Sequence, residues 1–146
     1  MALQWDVFNN IKIDLLTVPA VKTATVTSDA ADMAGYEGAR FDVIFGESGN
    51  SLCGGVKWDC KLQESDDDVT YADVDADDVI GNTSDQFGLV DDAASDGAVY
   101  SLGYKGIKRY VKVVVTATGT HGTGIIITIA VNRFKSINPP SNVVNA

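Results

Sequence analysis

The chain has 146 residues, 45% of them hydrophobic and 21% charged, which suits one domain with its own core and excludes a wholly disordered polymer. Its 20 acidic residues outnumber 11 Lys and Arg, giving a net charge of −9; that balance argues against nucleic acid as a partner, because phosphate backbones demand clustered cations. A single His and two Cys leave little material for metal or nucleophile chemistry, so a non-catalytic module without a cofactor is expected.

Residues 1–10 show no strong periodicity and no basic leader followed by an apolar stretch; they read as an N-terminal arm, not a signal peptide. Residues 11–16 and 21–27 are expected as strands, and 28–34 is the one helical candidate. Residues 39–47 alternate, with Phe41, Val43 and Phe45 on one side and Arg40 and Asp42 on the other. The alternation is clearest over 56–63, where Val56, Trp58, Cys60 and Leu62 share one face and Lys57, Asp59, Lys61 and Gln63 the other. Shorter strands are expected at 69–74, 86–90 and 98–103. Two strongly β-branched runs follow, 108–118 and 124–134, with the Gly-rich 119–124 between them reading as a hairpin loop. Residues 136–146, with Pro139 and Pro140, read as a C-terminal arm, leaving 11–135 as the domain. Eight or nine strands with closely spaced turns predict a single-domain antiparallel β-sandwich or a barrel. The longest apolar stretch, 125–131, falls far short of the ~20 residues that cross a bilayer, so no membrane partner is expected.

The acid is concentrated. Residues 64–68, 73–78 and 91–96 hold 11 carboxylates. Asp73, Asp75 and Asp77 stand at positions 1, 3 and 5 of a calcium-type loop, but Asp78 takes the Gly position and Ser84 the place of the bidentate Glu. A solvated, turn-forming acidic face is the simpler reading, with divalent binding between loops or subunits as its alternative. Cys53 and Cys60 match no zinc or redox spacing, and Cys60 alternates with core residues, so a buried thiol is expected there rather than a disulfide. His121 lies in the Gly-rich 119–124 segment with no nucleophile partner and reads as part of a mobile tip. Lys105, Lys108, Arg109 and Lys112, interleaved with Tyr104 and Tyr110, form the one basic cluster, expected to pair with the acidic face of an adjacent copy or partner.

Two strings carry a resemblance. Leu62-Gln-Glu-Ser-Asp-Asp-Asp68 precedes Tyr71-Ala-Asp-Val74, and Gly103-Tyr-Lys-Gly-Ile-Lys-Arg-Tyr-Val-Lys112 leads into Val113-Val-Val-Thr-Ala-Thr-Gly119. Together they resemble small virion proteins of tailed bacteriophages and prophages, often encoded close to the major capsid protein, over about residues 23–139. The resemblance implies a capsid decoration, or cement, protein: a β-sandwich or jelly-roll trimer that sits on the outer shell, binds the major capsid protein and clamps neighbouring capsomers. The expected fold is thus jelly-roll-like and the expected location the capsid exterior, after synthesis in the host cytoplasm. Charge agrees, since packaged DNA would repel a lumenal protein at −9. The contact candidates are Trp5, Phe8, Lys105, Lys108, Arg109, Tyr110, Ile126 and Phe134. A homotrimer is expected to bring the exposed alternates of the late strands (Tyr110, Val114, Ile126 and Phe134) near its axis. The alternatives are a head-fibre base, head–tail connector or tail part of the same virion, and a carbohydrate-binding adsorption module built on Trp5 and Trp58.

Overall fold

A computed structural model describes residues 10–134 of the chain. Its strands are β1 (Ile11–Lys22), β2 (Val26–Thr27), β3 (Ala31–Asp32), β4 (Gly38–Phe45), β5 (Lys57–Ser65), β6 (Ala72–Asp73), β7 (Val79–Ile80), β8 (Gln86–Val90), β9 (Val99–Tyr104), β10 (Tyr110–Thr118) and β11 (Ile125–Phe134). One sheet has five strands in the order β1-β11-β4-β9-β7. The other has six: β2-β10-β5-β6, with β3 also on β10 and β8 also on β5. Leaving aside the two-residue β7, the major strands follow the double Greek-key order of a jelly roll. The first, fourth, ninth and eleventh strands form one layer, and the strands between them in sequence form the other. The expected all-β sandwich is therefore present.

Alternation builds the core. Phe41, Val43 and Phe45 of β4 and Ile125, Ile127, Ile129 and Val131 of β11 point inward from one sheet. Trp58, Cys60 and Leu62 of β5 and Val111, Val113 and Val115 of β10 point inward from the other. β-branched residues dominate the long strands because two substituents on Cβ fit a pleated surface and cost little rotamer freedom there. The sheets are tied at one end by Tyr104, whose buried hydroxyl donates to Glu64 Oε2 across the sandwich at 2.7 Å.

Several expectations fail locally. The run 119–124 is not a hairpin loop, because β10 pairs with β5, β2 and β3 in the six-stranded sheet while β11 pairs with β1 and β4 in the other. It carries the chain from one layer to the other. Two strands that both bury alternate β-branched residues look alike whether they lie side by side or face each other across about 10 Å of core. Residues 28–34 form no helix; β3 lies there instead, and buried Ser28 Oγ accepts from Val113 N at 3.0 Å, holding this segment on β10. The expected strands 11–16 and 21–27 are redistributed: β1 runs on to Lys22 through two register shifts and Pro19, and only Val26 and Thr27 form a separate strand. Of 69–74, only β6 is extended, because 65–70 is folded into a side-chain-capped turn. The count rises from eight or nine to eleven through these two-residue strands.

Candidate functional site

Most of the basic cluster has partners within its own chain. Lys108 Nζ is paired with Asp66, and its pKa is raised by that carboxylate. Arg109 makes a bidentate contact to Asp32, through Nε at 3.1 Å and NH2 at 3.0 Å, and its guanidinium lies 5.0 Å from the centre of the Tyr110 ring. The same contact holds the Asp32 carboxyl below the usual carboxylate range. Lys112 Nζ sits 3.5 Å from the centre of the Tyr71 ring, and Tyr71 in turn donates its hydroxyl to Asp68. Three of the four cations expected to reach for another molecule are thus engaged at home, by acidic residues and rings that the fold brings to the same end. Lys105 is exposed beside Ile107, a loop-tip side chain 95% exposed.

The calcium-like run is dismantled in the same way. Asp73 lies on β6, where Lys61 Nζ at 2.8 Å and Gln63 Nε2 at 2.9 Å bind its Oδ1 and lower its pKa. Asp75 precedes a 3-10 turn over Ala76–Asp78 that includes Asp77. Among the described residues no three His, Cys, Asp or Glu side chains converge on a metal position. The Asp67 carboxylate is built into its turn. It accepts from Thr70 N at 2.8 Å, Val69 N at 2.9 Å and Ser65 Oγ at 2.8 Å, and its pKa falls to about 2 for those reasons, the Thr70 bond first.

His121 is not a mobile tip. It is buried, its ring centre 4.3 Å from that of Trp58, and its Nε2–H donates to Thr118 O at 2.9 Å. Beside it, Asn50 Oδ1 accepts from Gly124 N at 2.7 Å and Thr123 N at 3.2 Å, fastening the crossover to the 46–56 loop. Trp58, one of the two rings of the sugar platform, is fully buried. Trp5, the other, and Phe8 lie outside the described residues, as do all but Asn10 of the two proposed arms. Cys60 is buried and free, with its thiol pKa raised by that burial; Cys53 is exposed and free.

The contact candidates of the late strands do not share a surface. Tyr110 and Val114 point outward from the six-stranded sheet, opposite Ser65 and Lys61; Ile126 and Phe134 point outward from the five-stranded one. No single face presents all four, so the expected trimer axis could not gather them together. Placing β10 and β11 in different layers is what separates them.

The outer face of the five-stranded sheet emerges instead as the distinctive surface. Ile13, Leu15, Val18 and Val21 on edge strand β1 are each more than half exposed. Register sets Leu15 beside Ala130 and Val21 beside Ile126; Ile44 lies beside Thr128, and exposed Val99 beside Ile44. In the middle, Arg40 Nε donates to Asp42 Oδ1 at 2.8 Å, while Asn132 Nδ2 and Ser101 Oγ donate to the same carboxylate. Phe134 ends the face with its ring over Gly38, where a Cβ would come within 2.7 Å of the ring. Residues 11–15 do alternate, but an apolar face of Ile11, Ile13 and Leu15 reads as the inward one, whereas register turns it outward; residues 17–22 break the period-two pattern altogether. A scan against protein-family models and a search of curated proteins find no match to the chain. No helix among the described residues is long and apolar enough to cross a membrane.

Proposed function

We propose that the protein is a non-enzymatic structural component of a tailed-bacteriophage virion, a decoration protein that binds the major capsid protein on the outside of the head and stabilises capsomer contacts as a homotrimer. One observation carries the assembly role: the outer face of the five-stranded sheet leaves Ile13, Leu15, Val18, Val21, Ile44, Val99 and Ile126 in water, and a broad exposed apolar surface of this kind fits protein contact better than solvation. The virion context rests on the resemblance carried by residues 62–74 and 103–119. The acidic balance supports an exterior position, away from packaged DNA.

The test is quantitative mass spectrometry of purified virions, together with heat and salt challenge of particles lacking the protein. A copy number comparable to the capsid protein, with loss of resistance on deletion, is the expected result. A handful of copies per particle would move the protein to a fibre, connector or tail part. Unchanged particles without it would remove the decoration role.

A further inference from the structure

The apolar face is also the electrically quiet side of a strongly charged molecule. Among the described residues, Arg40 and Asp42 are the only charged ones at the outward positions of the five-stranded sheet, and they are bonded to each other. The outward positions of the six-stranded sheet differ, carrying Lys57, Asp59, Lys61, Asp73 and Lys112. The acidic runs also lie off the five-stranded sheet's outer face, over the end of β5 and the segment to Asp78, and on the 91–96 turn. Two copies each at −9 repel one another, and a seam between them costs least where each presents no net charge. A partner of opposite charge would be met best through the acidic runs, which this face lacks.

β1 adds a second indication. It is a 12-residue edge strand, and long exposed edges invite pairing unless they are blunted. Its bulges and Pro19 interrupt backbone pairing, which leaves the apolar side chains as the available contact.

From this placement we infer that the outer face of the five-stranded sheet, centred on Leu15, Val21 and Ile126, is the seam at which a second copy of this chain docks. The inference rests on the assembly reading above and deepens it by naming the partner of that face. A seam of this kind is apolar and not charge-driven. Added salt, which screens the repulsion between acidic copies, strengthens the association or leaves it unchanged.

The experiment is light scattering on the full chain over a range of concentrations and salt, with Leu15→Glu and Ile126→Glu as seam variants and Ile107→Glu, at a more exposed apolar position on the loop between β9 and β10, as the control. Circular dichroism checks that each variant is folded. The wild type and Ile107→Glu are expected at a multiple of the 15.4 kDa monomer mass, and the two seam variants at the monomer mass under the same conditions. A wild type that stays monomeric, folded seam variants that assemble as the wild type does, or an assembly that salt dissolves would each overturn the inference. Virion copy number separates the two readings. A monomer present in capsid-like numbers sinks the seam and keeps the decoration role; an oligomer broken by Leu15→Glu yet absent from virions does the reverse.

Discussion

Two cysteines of one chain have opposite fates. Cys60 sits in the alternating run of β5 and is buried with its thiol pKa raised, whereas Cys53 stands exposed in the loop before it. A thiol reagent added to the native protein is expected to modify Cys53 quickly and Cys60 only after unfolding, with one equivalent consumed in buffer and two in denaturant; two fast equivalents would contradict the burial of Cys60. Asp67 gives a pH signature. Its pKa of about 2 lies below the ordinary value of 3.8, so the native state holds its carboxylate charged more readily than the unfolded chain does. Its contribution is fully present above pH 3.8 and is lost as pH falls through about 2. Replacing Asp67 by Ala is expected to lower the melting temperature at neutral pH and to have a smaller effect near pH 2. An equal loss at both would show that the charged turn bonds are not its source. The acidic run was legible in the sequence; that this one carboxylate caps Val69 and Thr70 was not, because the bonds depend on how the turn folds.

At the scale of elements, the crossover between β10 and β11 is the informative piece. Gly119 has φ of +82°, and a Cβ placed there would come within 2.2 Å of Gly55 O, so two independent constraints require glycine. Gly119→Ala is expected to destabilise the fold by about 2 kcal/mol or more, from left-handed strain plus displacement of the neighbouring loop. Equilibrium denaturation would measure it, and a loss below about 0.5 kcal/mol, the range of an ordinary surface change, would contradict a tight crossover. The glycines of 119–124 were visible as a turn signal, but the turn was assigned to the wrong geometry. Local pattern reports that a strand has one buried face; it does not report which strand lies beside it and which lies across the core. The same limit explains 28–34. Buried Ser28 and Ala31 hold their places through contacts with β10, some 80 residues away in sequence, and no local periodicity records that pairing.

For the molecule as a whole, layer assignment decides what the surfaces can do. Once β10 and β11 part into different sheets, Tyr110 and Val114 face one way and Ile126 and Phe134 the other. The basic cluster is likewise no longer a free patch: with the turns folded, Asp66 and Asp32 meet Lys108 and Arg109, and the Tyr71 ring receives Lys112. What remains uncommitted is the apolar outer face of the five-stranded sheet, drawn from four strands widely separated in the chain.

Composition and period-two alternation by themselves determined that this chain is all-β, that Trp58, Cys60 and Leu62 point inward, and that much of its acid is concentrated in runs such as 66–68 and 91–96 that form turns. Those properties depend on each residue and its near neighbours, because burial of a strand face follows the pleat. Only the tertiary structure decided which strands share a sheet, which cations are already paired, and which apolar side chains are left over to form a face. Those outcomes depend on pairings between segments far apart in the chain, where several topologies satisfy the same alternation and only packing selects among them.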